Sequence, residues 1–424
     1  MEGTVGRSRG VILLLFFAFG VAAVHASTPA KKKVTIPGRI FVGYQGWFRC
    51  PGDGSPENAW SHWSKGEPSA ATMAVDLYPD VHELDPKSLC PVPGMMIGGK
   101  QAYLFSSFPI ETVRKHFQWM RTYHIDGAFL QRFINSIPRQ RAEGDVVLKN
   151  VRTAAEETGR SFTIEYDLSG AHPDTVLQEL QDDWTELTAE GIIKSRAYLK
   201  AERRPVVSIW GLGFGDRGHL QEPGLALQIV EWFQHAGCVV MGGVPAGWGT
   251  LTRDSSTDPA WNRVYDALDI VQPWTVGRYA SVDAADAWKN SRLIPDLKRT
   301  GEHHQVYMPV IFPGFSWHNL NRNSPENQIP REGGEFLWRQ AYNAKVAGAE
   351  IVKVAMFDEV NEATAILPAA PRRSDAPDQG YWLTLDADGK NLPADWYLRV
   401  VSRIADMFHG KIPATEKLPG SLVP

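Results

Sequence analysis

The sequence predicts an α/β protein: a (β/α)8 TIM barrel with a long loop insertion after the first strand. Eight short apolar segments alternate with segments of helical periodicity, which is typical of a parallel sheet, and eight such units predict a closed barrel. Polar and aromatic residues gather where the apolar segments end. The chain of 424 residues is long enough for one large barrel or for two domains. An open, doubly wound sheet is the alternative.

The predicted strands are short runs of apolar, often β-branched residues bounded by turn-forming residues. In chain order they cover residues 39–48, 127–133, 161–167, 205–211, 238–243, 269–274, 305–313 and 351–357. Runs such as PVVSIWG (205–211) are apolar at nearly every position, which indicates strands buried on both faces. The wall of a barrel is buried on both faces, so this pattern agrees with the predicted fold.

The segments between the strands have helical spacing. In the first of them, Val113, Phe117 and Met120 recur at intervals of four and three residues. The predicted helices cover residues 111–123, 142–158, 173–190, 223–236, 282–299, 332–348 and 393–409. Residues 49–107 are instead punctuated by Gly, Pro and Asp, with one short strand-like run, AVDLY (74–78). They predict a loop insertion at one end of the fold.

The N-terminus predicts an export signal. Arg7 and Arg9 precede an apolar run over residues 11–24, and Val-His-Ala at 24–26 offers a small-residue cleavage site. We expect residues 1–26 to be removed, which leaves a secreted or periplasmic protein without stable membrane insertion; an uncleaved anchor is the alternative. The remaining chain divides into a linker (27–38), the catalytic barrel (39–410) and a C-terminal tail (411–424).

The amino-acid composition favours some classes of function and argues against others. A net charge of −4 without a basic stripe predicts no nucleic-acid partner. The fifteen Trp favour a cleft that stacks the flat faces of sugars, although most of them individually fit a core position. Cys50 and Cys90 flank one loop-rich region and could pair in an oxidising compartment, whereas Cys238 opens an apolar strand and predicts a buried thiol. Zinc-type Cys/His spacing and Walker or Rossmann glycine motifs do not occur, so we expect no metal and no cofactor.

The segment EIVKVAMFDEVNEAT (350–364) runs from a buried strand into three carboxylates: Asp358, Glu359 and Glu362. Two carboxylates three residues apart on a turn face the same side, with Cβ atoms roughly 5–6 Å apart. That is about the spread that a glycosidase needs between its two catalytic carboxyl groups. We therefore predict Glu359 and Glu362 as catalytic residues. A strand end with solvated acids and a helix cap is the alternative.

The other strand ends carry polar and aromatic residues, and in a barrel these ends converge on one rim, where such folds place their chemistry. The predicted substrate-binding residues are Tyr44, Gln45, Trp47, Gln131, Arg132, Glu165, Tyr166, Asp167, Trp210, Trp274, Phe315, Trp317, His318, Asn319, Asp358 and Asn361. Carboxylates and aromatic rings dominate this set, as in a glycoside hydrolase. No G-x-S-x-G elbow occurs, which argues against an α/β-hydrolase.

Four strand ends, GYQGWF (43–48), TIEYDLSG (163–170), VIFPGFSWHNLN (310–321) and FDEVNEAT (357–364), together resemble the glycoside hydrolase family 71/99 group, the relatives of endo-α-mannosidase. The resemblance runs from about residue 40 to 408. The last motif is the most specific, because the family carries Trp-Asn-Glu-Trp-His-Glu-Gly-Thr there, and both glutamates and the threonine are kept.

Two further motifs resemble the family. Its strand-three Ile-Glu-Pro-Tyr is similar to residues 164–167, which keep the glutamate, and its strand-seven Gly-Pro-Gly-Tyr is similar to residues 312–315. The resemblance implies a retaining α-glycosidase on a (β/α)8 barrel without a metal. It implies Glu359 as the base on the 2-hydroxyl of the sugar, through an epoxide-like intermediate, and Glu362 as general acid and then base. Glu165 would contact the sugar beside the scissile bond.

The chain departs from the family motif at Val360, Asn361 and Ala363, where the family has Trp, His and Gly. These changes alter the floor of the site, so a preference for mannose does not carry over. Asp358 adds a like charge beside Glu359 and is expected to raise the pKa of one carboxyl group.

We therefore predict an exported glycoside hydrolase that cleaves α-linked oligo- or polysaccharide with a pair of glutamates. A non-catalytic carbohydrate-binding barrel of the same fold is the alternative. A metal-assisted hydrolase on a barrel is a third reading.

Overall fold

The structure, a computed structural model, describes residues 1–4, 6, 33–420 and 422. The chain divides into two units, Met1–Lys31 and Lys32–Pro424, and the second contains the barrel. The predicted export signal lies almost entirely outside the described residues, so the structure does not test it. Among the residues that are described, no helix is long and apolar enough to cross a membrane.

Eight parallel strands form the barrel wall. They are β1 (Ile40–Tyr44), β2 (Gly127–Phe133), β3 (Ser161–Asp167), β4 (Arg204–Trp210), β5 (Val239–Pro245), β6 (Ile270–Trp274), β7 (Val306–Tyr307 and Val310–Ile311) and β8 (Val352–Val354). Each strand pairs with the strands before and after it in the chain, and β1 pairs with β8. The consecutive order and the β1–β8 pairing exclude the open doubly wound sheet and confirm the predicted barrel.

Strand β7 closes the barrel by changing partners along its length. Its first half pairs with β6 through Val306 and Tyr307, and its second half pairs with β8 through Val310 and Ile311. Pro309 separates the halves. Because proline has no N–H to donate, a continuous ladder cannot pass through this position. The single strand predicted over residues 305–313 is therefore two short strands.

Helices cover the outside of the barrel. They are α1 (Ile110–Thr122), α2 (Ile137–Thr158), α3 (Val176–Ala189), α4 (Pro223–His235), α5 (Trp261–Ala267), α6 (Val282–Trp288), α7 (Ile294–Glu302), α8 (Glu335–Val346) and α9 (Trp396–Phe408). The helix predicted over residues 282–299 is two helices joined by a π turn at Lys289–Leu293. Helix α5 was not predicted, because at seven residues it is too short to show a clear apolar period.

The lower part of the barrel interior is apolar. Side chains such as Phe41, Phe129 and Met308 form one buried cluster, which also includes Val34 and Ile36 from the segment predicted as a linker. These two residues are 4% and 5% exposed. The described part of that segment therefore packs against the barrel.

The insertion after β1 contains an antiparallel hairpin, Leu89–Ile97 with Lys100–Phe105, which the sequence did not predict. The run predicted as strand-like at 74–78 makes only an isolated bridge, from Leu77 to Leu383. A disulfide joins Cys50 and Cys90, whose Cα atoms lie 6.4 Å apart. Cys238 is a buried free thiol.

The disulfide is expected to stabilise the fold, because it closes a chain segment with a sequence separation of 40 residues. Replacing both cysteines by serine should lower the free energy of unfolding by about 3–4 kcal/mol, by the loop-entropy relation. Urea denaturation measures this change. A reductant should lower the stability of the parent protein to that of the variant and leave the variant unchanged; an equal effect of the reductant on both would contradict the assignment.

Candidate active site

The pleat of the strands decides which side chains reach the barrel interior. Successive residues of a strand point to opposite faces, and residues paired in register between parallel strands share a face. Gln131 pairs with Glu165, and Glu165 pairs with Ser208, so these three residues lie on one face. On β3 the same face carries Asp167. Lys353 and Gln272 also contact Glu165, which identifies this face as the interior.

Three predicted substrate-binding residues lie on the other face and belong to the layer between barrel and helices. Tyr44 is fully buried and its hydroxyl lies 2.9 Å from His116 Nδ1. Tyr166, also fully buried, donates to Asp183 Oδ2 at 2.7 Å. Arg132 forms two hydrogen bonds to the Asp183 carboxylate, at 2.8 and 2.6 Å. The two tyrosines are buried between barrel and helices. The guanidinium of Arg132 is paired with Asp183, although Arg132 also lines the cavity beside Gln45.

Asp358 fastens the end of β8 to the end of β1. Its carboxylate is fully buried and accepts hydrogen bonds from the backbone N–H groups of Gln45 and Gly46, both at 2.8 Å. Burial raises the pKa of Asp358 to about 6, while the two N–H donors oppose this rise. Asp358 was predicted to bind substrate, but its side chain is occupied in holding the site together.

A tight turn follows and presents the two glutamates. The carbonyl of Glu359 accepts hydrogen bonds from Thr364 N at 3.1 Å and Ala365 N at 3.0 Å. The carbonyl of Val360 accepts from Asp76 and Leu77 of the insertion, both at 3.2 Å. The turn is therefore held from both of its sides, and the sequence prediction of a carboxylate pair on a turn agrees with this geometry.

Glu359 and Glu362 differ in their surroundings. Glu359 is 6% exposed, and its Oε2 accepts a short hydrogen bond from Gln45 Nε2. Glu362 is half-buried. Burial, and next the charge of Glu362, raise the pKa of Glu359 well above its usual range. Burial raises the pKa of Glu362 to about 7. Together the two carboxyl groups are therefore able to hold a proton at neutral pH.

Asp167 adds a third carboxyl group to this region. It is 4% exposed and accepts a hydrogen bond from Ser169 N at 2.8 Å. Burial raises its pKa to about 6. Its charge also contributes, as the smallest of several causes, to the raised pKa of Glu359.

Aromatic side chains stand at the ends of β4, β6 and β7. The rings of Trp210 and Trp274 meet edge to face, with centroids 5.5 Å apart, and the rings of Phe315 and Trp317 lie 5.4 Å apart. Gly243 on β5 leaves room for Trp210, since a Cβ there would lie 2.4 Å from its ring. The three tryptophans are half-buried, as expected for rings on the wall of an open cleft.

His318 and Asn319 are held by Asp76 of the insertion. Asp76 Oδ2 accepts from Ser316 Oγ at 2.5 Å and from His318 N at 2.8 Å, and Oδ1 accepts from Asn319 N at 2.7 Å. Asn319, 2% exposed, donates to two backbone carbonyls. Of these two predicted substrate-binding residues, Asn319 is therefore structural, whereas His318 is only partly buried.

A cavity of about 320 Å³ lies on the β1–β2 side of the glutamate pair. Its wall includes Gln45, Trp47 and Gln131, and the Trp47 ring stacks on His62 with centroids 3.9 Å apart. Gln45 Oε1, Trp47 Nε1 and Gln131 Oε1 are buried and have no hydrogen-bond partner. Gln45 joins this cavity to the carboxyl pair, since its side chain lines the cavity and also contacts Glu359. Asn361 reaches the same wall and donates to His62 O at 2.9 Å.

Glu165 lies deeper than predicted. It is fully buried, and its Oε1 pairs with the ammonium group of Lys353 at 2.5 Å. Its position under the site leaves no surface for direct contact with a sugar. The resemblance implied such a contact, and the structure places an ion pair there.

Sequence reasoning missed three residues that shape the site: His62, Asp76 and Lys353. His62 and Asp76 lie in the insertion, whose path had no periodic pattern to follow. Lys353 carried a signal, because a lysine inside the apolar run IVKVAMF is costly to bury unless it is paired. The partner, Glu165, is 188 residues away in sequence.

The barrel is shared with solved glycoside hydrolases. Two structures of the GH99 endo-alpha-mannosidase from Bacteroides thetaiotaomicron, one in complex with BIS-TRIS-propane, match with TM-scores of 0.63 and 0.61. Both are 16% identical to this chain, and each match covers 89% of this chain and 99% of the other. The chain has the fold of this endo-α-mannosidase. A structure described as a glycoside hydrolase-like protein matches with a TM-score of 0.54 at 12% identity, over 90% of this chain and 97% of the other.

The comparison confirms, at the level of the fold, the resemblance to the family 71/99 group that the strand-end motifs predicted. No protein-family model and no curated protein sequence matches the chain.

Ala363 offers a test of the turn. Its backbone φ is +51°, a left-handed conformation that costs an L residue about 1–2 kcal/mol, and the related motif has glycine here. Replacing Ala363 by Gly relieves this cost. Ala365→Gly is the matched change at a buried alanine outside the left-handed region. We expect the loss in free energy of unfolding to be smaller for Ala363→Gly than for Ala365→Gly, by at least about 1 kcal/mol. Chemical denaturation measures both, and equal losses would contradict the expectation.

Proposed function

We propose that this protein is a glycoside hydrolase that cleaves α-linked oligo- or polysaccharide, with Glu359 and Glu362 as its catalytic residues. The observation that carries the proposal is the carboxyl pair on the turn after β8. The two groups sit at the barrel mouth, interact with each other, and have raised pKa values. A pair that holds one proton at neutral pH supplies the acid and the carboxylate that glycosidic cleavage requires.

The surroundings favour a division of roles. Glu362 is the more exposed of the pair and suits the acid that protonates the leaving oxygen as the C1–O bond breaks. Glu359 is held by the amide of Gln45, which fixes its direction and partly opposes the rise that burial causes in its pKa. By the family resemblance, Glu359 takes the proton of the 2-hydroxyl while O2 attacks C1. Water then attacks C1 and gives a proton to Glu362, while the C1–O2 bond breaks and Glu359 returns its proton to O2. The configuration at C1 is retained.

The cleft has the materials to bind a glycan. The cavity beside Gln45 has room for a sugar unit, and its unpaired amide oxygens and indole N–H match a ligand rich in hydroxyl groups. Trp210, Trp274 and Trp317 supply apolar faces on the other side of the carboxyl pair. From the predicted set, we propose these three tryptophans with Gln45, Trp47, Gln131, Asp167, Phe315, His318 and Asn361 as the substrate-binding residues.

We also propose that the protein is exported and acts in a secreted or periplasmic setting. The apolar N-terminal run with its preceding arginines supports this, and so does the Cys50–Cys90 disulfide, because such bonds persist in oxidising compartments.

The two glutamates are tested by separate changes to glutamine. We expect Glu359→Gln and Glu362→Gln each to lower the turnover of an α-linked glycan by about 10²–10⁴-fold, because one proton-transfer partner is lost while the shape is kept. The measurement is sugar released by purified residues 27–424. Glu326→Gln, at an exposed glutamate of the β7–α8 loop, is the matched control and should leave turnover unchanged.

The outcomes separate the proposal from its alternative. Near-full turnover in Glu362→Gln would refute the catalytic assignment. Absence of release by the parent protein, with glycans still raising the melting temperature of parent and variant alike, would favour a carbohydrate-binding barrel without catalysis.

The raised pKa values predict how activity depends on pH. Turnover needs one proton on the pair, so it should fall on the alkaline side with an apparent pKa of about 7 or higher, as the pair loses its shared proton. The profile of kcat/KM against pH measures this limb. A limb near pH 5, where an ordinary solvated glutamate is already ionised, would contradict the assignment.

The same shift acts on stability. A carboxyl group with a raised pKa binds more protons in the folded than in the unfolded state between about pH 4 and 7. Its contribution to stability is therefore full below pH 4 and is lost as pH rises through 7. Urea denaturation should show a smaller loss of stability between pH 5 and 8 for Glu362→Gln than for the parent protein.

A further inference from the structure

An ion pair lies inside the barrel, below the carboxyl groups of the candidate site. Lys353 Nζ is 2.5 Å from Glu165 Oε1 and 3.2 Å from Gln272 Oε1, and the ammonium lies 5.1 Å from the centre of the Phe129 ring. Glu165 Oε2 accepts from Ser208 Oγ at 2.8 Å. All of these residues are fully buried.

Such a pair is not explained by stability alone. Taking two charges out of water costs several kcal/mol per ion, and apolar residues of similar volume often stabilise a core as well or better. The layer below is apolar and contains Phe41, Met241 and Met308. Apolar side chains could also have filled the next layer of the barrel interior, yet this layer contains a lysine and a glutamate.

The layer above the pair contains Asp167, two residues beyond Glu165 on the same face of β3. Four charged or titratable groups act on Asp167. Glu165 raises its pKa, and His219, when protonated, lowers it. Lys353 and Asp167 also interact, as do Asp167 and Glu359. Asp167 is therefore the link between the buried ion pair and the proposed catalytic carboxylates.

We propose that Lys353 is a positioning residue: its ammonium group neutralises Glu165 beneath the site and sets the charge that Asp167 presents to Glu359. Ser208 and Gln272 donate hydrogen bonds to Glu165, and Lys353 donates one to Gln272 Oε1, so both charges are held in place. Asp167 then has a negative and a positive neighbour, which act on its carboxyl group in opposite directions. Lys353 and Glu165 thereby set the charge of the Asp167 carboxyl group above them, although neither residue touches the substrate.

The proposal predicts the effect of removing one member of the pair. In Glu165→Gln the amide keeps the shape and can still accept from Ser208, but the negative charge is gone. The other carboxylate that acts on Lys353 is Asp167. Because an opposite charge stabilises the ionised form, the pKa of Asp167 should fall by at least about one unit. The double variant Glu165→Gln/Lys353→Met has neither charge, and there the pKa of Asp167 should rise again above its value in Glu165→Gln.

The measurement is the titration of the Asp167 carboxyl carbon by NMR, in protein labelled with ¹³C at aspartate. The Asp167→Asn variant assigns the resonance by its loss. This readout needs no substrate, so its failure is distinguishable from a failure of the proposed glycosidase activity. Denaturation curves recorded alongside show whether each variant is folded and how stable it is.

A fall in Glu165→Gln that the double variant reverses would support the inference. An unmoved titration, or an equal fall in the double variant, would overturn it; a loss of stability without a shift would mean that the pair is merely structural. If Glu165→Gln does not fold, Lys353→Met decides. There the attracting charge is gone, so the pKa of Asp167 should rise, and a fall or no change would overturn the inference.

Discussion

The hydrogen bonds from Gln45 N and Gly46 N to the buried carboxylate of Asp358 join the last strand of the barrel to the first. The barrel has no free edge because β1 pairs with β8. The contact beside this pairing also positions residues of the site. The same contact brings the Gln45 side chain onto Glu359. A buried carboxylate is costly, but two charge-assisted bonds offset much of that cost. The contact that helps to close the barrel therefore also orients Glu359.

Much of the architecture was predictable, because runs of β-branched residues in strands and the regular spacing of apolar residues in helices are visible in short stretches of sequence. The bounds of β2 and β3 match their predicted ranges, and the glutamate pair follows from one short motif. The orientation of each side chain was not predictable. When both faces of a strand are apolar, alternation exists but nothing in the sequence marks the inner face. Tyr44 and Tyr166 were therefore assigned to the cleft although they face the helices.

Other features were missed because they depend on distant residues. The break in β7 arises from Pro309 together with a change of partner strand, and only the closed sheet reveals the partners. Lys353 and Glu165 are far apart in the chain, so their pairing is visible only in three dimensions. The interior is layered as a result: apolar at the base, an ion pair at mid-height, and carboxyl groups at the mouth. Each layer sets the electrostatic environment of the one above it.

The insertion after β1 holds several parts of the site in place. Asp76 and Leu77 donate to the turn that carries the two glutamates, Asp76 also anchors the loop after β7, and His62 stacks on Trp47. In most barrels the loops at the rim vary independently of one another, which is how one scaffold acquires many specificities. Here two loops and the turn that carries the two glutamates share hydrogen bonds. A change in the insertion therefore acts on the turn as well, and the insertion grafted alone onto another barrel would lack the turn and the loop that it bonds to.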